Sequence, residues 1–183
     1  MSHTLTLVFC GPHADRTWSP LYHRVDHAIR VAAESDTPLL ISGDAHGGRA
    51  VMHFADRAES RVRSVMVAYD PGGYTQTDAQ AAIRALRDRP ELAGVREVLV
   101  VTDDWHFERC LTMLGGERDR MAPSREIAFR DASTSVGPRP PAMVLEGERR
   151  GILDYLAGKP HRSFGEPFGK PNHPVFGNEE TIP

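Results

Sequence analysis

The sequence predicts an α/β domain of three layers, with a mostly parallel sheet of about five strands between helices. Three observations lead there. Short apolar, β-branched runs alternate with stretches whose apolar residues recur at helical spacing. The apolar runs lack in-out alternation, as expected of strands buried on both faces. Nearly every run ends in a glycine, proline or carboxylate turn, the rhythm of successive βα units.

Taken in order, Thr4 to Phe9 is the first strand, stopped by Cys10-Gly11-Pro12. The loop that follows is rich in polar side chains, including His13 and Asp15. Leu21, Val25, Ala28, Ile29 and Ala32 mark the first amphipathic helix. His23 and His27 share a face of it away from the apolar stripe; they read as solvated histidines, with a metal pair as the alternative. Thr37 to Ser42 is the second strand, and Gly43-Asp44-Ala45-His46-Gly47-Gly48 a turn whose glycines would let backbone N–H groups approach an anion. Val51, Phe54, Ala55 and Ala58 face a second helix inward, and Val62 to Ala68 is the third strand, ending at Asp70-Pro71-Gly72-Gly73. Thr77 or Thr75 caps a third helix that carries Ala79, Ala82, Ile83 and Leu86 inward and ends near Arg89-Pro90.

Val98 to Val101 is the fourth strand, and its helix packs through Phe107, Cys110, Leu111 and Leu114 before stopping at Gly115-Gly116. Glu126 to Phe129 is a short last strand. Residues 131–141 read as a surface loop able to fold over a site, and Met143 to Ala157 as a last helix with Val144, Ile152, Leu153 and Leu156 toward the core. The domain thus spans 1–158, a Rossmann-like arrangement. Residues 159–183 are too rich in proline and glycine for regular structure. Phe164, Phe168 and Phe176 would be costly to expose there, so the tail is expected to dock on its own domain or on a neighbouring subunit in a homo-oligomer, with a disordered tail as the alternative.

Composition narrows the function classes. The chain has 183 residues, 40% hydrophobic and 26% charged, which suits one globular domain with a real core. A net charge of −3 gives no general attraction to nucleic acid or an anionic membrane. Two cysteines, Cys10 and Cys110, make no disulfide framework. Neither a signal peptide nor a transmembrane run is evident, so the cytoplasm is the expected compartment.

The best candidate site is Thr102 to Arg109. Thr102 and Asp103 fall at the carboxyl end of the fourth strand, while His106 and Arg109, three apart, share a face in the first turns of the next helix. A helix N-terminus there favours anions already. The plain alternative is an Asp N-cap at an ordinary strand-helix junction. Cys110, four residues from His106, reads as a buried structural thiol because it completes the apolar stripe, with a nucleophile as the alternative.

These motifs, in this order, resemble the ElyC/SanA/YdcF family of bacterial Rossmann-like domains. The resemblance runs over residues 4–158 and rests on Gly11, Arg24, Ser42-Gly43, Thr77 with Gln80, the Thr102-to-Arg109 block and Glu148. It implies that these residues line one ligand site. Asp44, Gln80 and Asp103 depart from the family pattern, and Asp44 and Asp103 would add carboxylates to an anion-recruiting mouth. The chain is similar to the family's soluble branch, which is associated with S-adenosylmethionine, so that molecule is the cofactor the resemblance suggests.

Three functions compete on this reading. In the first, a soluble enzyme, a hydrolase or transferase, acts on a small anionic metabolite, nucleotide-like or phosphorylated; His106 is general acid or base, tuned by Asp103 or Glu148, and Arg109 and Arg24 hold the anion. In the second, the same pocket binds S-adenosylmethionine or a nucleotide without catalysis. In the third, His13, Asp15, Asp44, His46 and Asp103 hold a divalent metal for hydrolysis.

Overall fold

A computed structural model describes residues 3–10, 19–43, 49–69, 74–135 and 140–159. Within these, strands and helices alternate as β1 (Thr4–Phe9), α1 (Ser19–Glu34), β2 (Leu39–Ser42), α2 (Arg49–Glu59), β3 (Val65–Ala68), α3 (Thr75–Asp88), β4 (Glu97–Val101), α4 (Phe107–Met121), β5 (Ala128–Asp131) and α5 (Ala142–Leu156). The five strands form one all-parallel sheet in the order β3-β2-β1-β4-β5. The chain winds outward from β1 to β3, returns to the far side of β1 and winds outward again. Right-handed crossovers therefore place α1 and α2 on one face and α3 and α4 on the other.

Side-chain alternation along the strands feeds both layers. Val8, Leu39, Ile41 and Val101 meet Val25 and Ile29 of α1 and Val51 and Phe54 of α2. On the opposite face Leu5, Leu7, Leu40, Val98 and Val100 meet Ile83 and Leu86 of α3 and Met113 and Leu114 of α4. Each fully buried aliphatic side chain contributes about 1.5–3 kcal/mol, and both layers share the central β1 and β4. The strand order reverses between these two strands. In such a sheet, the crevice beyond their carboxyl ends is where ligands bind.

The flanking strands β3 and β5 are four residues each. The outward-facing carbonyl of Val67 in β3 accepts a hydrogen bond from Arg89 Nη2 at 2.5 Å. On β5, Arg130 and Asp131 are exposed, and Arg130 pairs with Glu97 of β4.

Several expected boundaries move. β2 begins at Leu39 because Thr37 N–H closes back on Ala32 O of α1 at 2.9 Å, while its buried hydroxyl lies 2.7 Å from that of Thr6. β3 begins at Val65, after a turn in which Arg61 N–H closes on Ala58 O. β5 is shifted to Ala128–Asp131, and the backbone continues beyond it to Thr134, which pairs with Thr102 and Asp104. Part of the expected surface loop is thus an extension of the sheet. Neither Thr77 nor Thr75 is the N-cap of α3: Tyr74 holds that position, and the Thr77 hydroxyl accepts from Tyr74 N–H and donates to Tyr74 O.

The largest departures concern α4 and α5. Gly115 and Gly116 do not stop α4, which runs through them to Met121. Gly116 is instead a packing notch: a Cβ there would lie 2.9 Å from Cε1 of Tyr155 on α5. Leu153 and Leu156 are exposed at 65% and 68%, not core residues, and Glu148 is the one residue of α5 that is buried. Contacts of Glu148 with the start of α4 and of Tyr155 with its later turns show that the two helices run side by side in the same direction. The segment from Ala142 to Gly147, about 9 Å of helix, therefore rises past the start of α4 beyond the carboxyl edge of the sheet.

Candidate functional site

The chain after β4 builds the site. Thr134 N–H donates to Thr102 O and Asp104 N–H to Thr134 O, so the extension of β5 clamps both sides of Asp103. A single turn of 3-10 helix, Asp104–His106, then turns the backbone into α4, with His106 N–H on Asp103 O at 2.9 Å. The sharp turn is what carries the His106 ring back over the strand end. Thr102 is fully buried, and its hydroxyl oxygen is 4.0 Å from Cys110 Sγ. Cys110 is itself fully enclosed in the core, as expected of a structural thiol.

Two ion-pair systems meet at this point. In the first, Arg24 of α1 donates to Phe9 O at 2.7 Å and to Asp103 Oδ2 in a very short contact. Arg24 is 3% exposed, so it ties together α1, the end of β1 and the end of β4. In the second, Glu148 accepts from His106 Nδ1 at 2.5 Å through one oxygen and from Arg109 Nη1 at 2.9 Å through the other. The other ring nitrogen, Nε2, faces the Thr75 hydroxyl at 3.4 Å. Gly151 makes room for this arrangement: a Cβ there would lie 2.8 Å from Arg109 Cζ.

The structure decides between the two expected partners of His106. It is Glu148, and not Asp103, that touches His106, because the carboxylate of Asp103 is taken by Arg24. Asp103 therefore adds no free negative charge to the mouth. Arg24 and Arg109 are not open anion clamps; each gives N–H groups to protein acceptors and is buried.

The electrostatics of His106 follow. Burial disfavours its imidazolium, but the Cys110 sulfur and the Glu148 carboxylate outweigh that penalty and push its pKa from 6.5 up to about 10. Burial would raise the Glu148 carboxyl, and the cations His106 and Arg109 override it and hold Glu148 below its ordinary value. At neutral pH two positive charges thus flank one negative charge.

Of the remaining expected residues, Ser42 donates to Asp78 O at 2.7 Å and ties β2 to the start of α3. Gly43 follows it with φ 145°, a conformation that needs glycine, and donates to Ala68 O. Gln80 is half-buried in α3. Thr77 serves the helix end, as described. Gly11, His13, Asp15, Asp44 and His46 lie outside the described residues, as do Phe164, Phe168 and Phe176 of the tail. Among the described residues no group of three His, Cys, Asp or Glu could hold a metal ion. His23 is exposed, whereas His27 Nε2 donates to Ala132 O at 2.9 Å, so the two do not act together. Thr75 was singled out by sequence only as a cap, and its approach to His106 carries no local signal. Among the described residues no helix is long and apolar enough to cross a membrane.

Fold and site together define an α/β protein of Rossmann-like architecture with a buried His-Glu-Arg ring at the reversal point of its sheet. No family model, curated protein or solved structure matches the chain.

Proposed function

We propose that this chain is an enzyme, a hydrolase or transferase acting on a small anionic metabolite that is nucleotide-like or phosphorylated. The observation that carries the reading is the His106-Glu148-Arg109 ring at the carboxyl end of β4, beside the strand-order reversal. Glu148 accepts the hydrogen bond of Nδ1–H and so fixes Nε2 on the side of the Thr75 hydroxyl. A protonated Nε2 is suited to donate its proton to a leaving oxygen and to stabilise negative charge as it develops there. Arg109 serves by fixing Glu148 and by adding positive charge, while Arg24 and Asp103 hold the strand end that carries the ring. The same residues carry the likeness to the ElyC/SanA/YdcF family, and we place the chain in that family's soluble branch as part of this proposal.

Incubation of the purified protein with a cell extract, followed by mass spectrometry, identifies a consumed metabolite. His106→Ala then abolishes its turnover without unfolding the protein; turnover that survived this change would refute the assigned role. A histidine held charged at neutral pH also suits a non-catalytic site for S-adenosylmethionine or a nucleotide. That second reading is distinguished by a ligand that co-purifies unchanged and is lost in Arg109→Ala, with no metabolite consumed.

A further inference from the structure

Glu148 reaches the ring on a helix with little apolar grip. Along α5, Met143, Leu153 and Leu156 are 61%, 65% and 68% exposed, and Tyr155 is its one side chain packed against a hydrophobic cluster. The lower anchor is also polar. Tyr155 Oη donates to Glu117 Oε1 at 3.2 Å, and Arg120 Nη2 donates to Tyr155 Oη at 3.2 Å. Gln76 Nε2 of α3 reaches the same Glu117 oxygen at 3.1 Å. Glu117 is fully buried, its second oxygen has no hydrogen-bond partner among the described residues, and Arg120 is its ion-pair partner at 3.2 Å. An ionisable group buried at this cost, on a face where Leu or Met would pack, calls for a role beyond packing.

We propose that Glu117 and Tyr155 are positioning residues that seat α5 in register with α4 and α3, so that Glu148 meets both His106 and Arg109. The seven residue steps from Glu148 to Tyr155 rise about 10 Å, two turns of one helix. Gly116 of α4 and Gly151 of α5 each open onto the other helix across one seam and make room for Tyr155 and Arg109, respectively. A slip or tilt of α5 at Tyr155 is therefore delivered to Glu148, where His106 holds its carboxylate oxygen at 2.5 Å. The importance of this for turnover rests on the ring being the working site; the positional link itself does not.

The test is a titration of the His106 ring by nuclear magnetic resonance in the full chain without ligand. Tyr155→Phe keeps the ring in its notch and removes only the hydroxyl; Glu117→Gln keeps the shape and removes the charge. Both are expected to lower the proton affinity of His106 about tenfold or more, moving its midpoint toward 6.5, with the β-sheet signals unchanged. Leu153→Ala, on the exposed side of α5, leaves the titration as it is. An unaltered midpoint in Tyr155→Phe overturns the proposal, whether or not Glu117→Gln folds. Loss of the shared function reading would show as turnover surviving His106→Ala, a result that leaves the titration outcome standing.

Discussion

The ring sets how single residues respond to pH. His106 is held above its unfolded value of 6.5, so its contribution to stability is complete below pH 6.5 and is lost as pH rises through about 10. Urea unfolding from pH 6 to pH 11 should therefore show a decline on the alkaline side, and Glu148→Gln should flatten it. If His106 donates a proton, kcat/KM falls over the same upper limb. Arg24 answers differently. Replacing it with Met removes the ion pair of the Asp103 carboxylate at a buried strand end, and a loss of about 3–5 kcal/mol in denaturant unfolding is expected. Sequence spacing brought out Thr102, Asp103, His106 and Arg109, because they lie within one strand-turn-helix. It left the partner of His106 open between Asp103 and Glu148, because Asp103 finds its partner 79 positions away in Arg24 and His106 its partner 42 positions away in Glu148. Only the fold supplies those distances. Burial pushes the thiol of Cys10, a fully enclosed core residue, up to about 12.

At the level of elements, glycine proved the residue most open to misreading. Gly115-Gly116 carries the local signal of a helix end, yet α4 continues because a neighbouring helix needs the space that the missing Cβ of Gly116 leaves. The same reasoning applies to Gly151 beside Arg109. Gly151→Ala should leave the far-ultraviolet circular dichroism intact while displacing the guanidinium from Glu148, and ligand binding or turnover should fall with little change in unfolding midpoint. Gly43 is the opposite case, a backbone requirement. At φ 145° an alanine would be strained by about 1–3 kcal/mol, which thermal unfolding of Gly43→Ala would register directly. In helix α5, Leu153 and Leu156 fit a helical stripe, but the helix turns Glu148 and Tyr155 inward and those leucines outward. Periodicity alone does not say which side of a helix its neighbour occupies.

For the whole molecule, the alternation of apolar runs and amphipathic stretches was enough to anticipate a parallel sheet with helices on both faces. It did not give the strand order, which depends on where the chain returns across β1. That return makes β1 and β4 the common floor of both hydrophobic layers. Native-state hydrogen exchange should accordingly be slowest in β1 and β4 and fastest in β5 and α5, whose burial is slight.

The contact between Arg89 and Val67 has one more consequence. Exposed strand borders are templates on which a second chain can add, and polymerisation from the folded state begins there. On the β3 side, a guanidinium already occupies an outward carbonyl; on the β5 side, an incoming strand meets only four residues, with Arg130 and Asp131 among them. Both borders of the open sheet thus carry charged groups that disfavour the addition of a further strand.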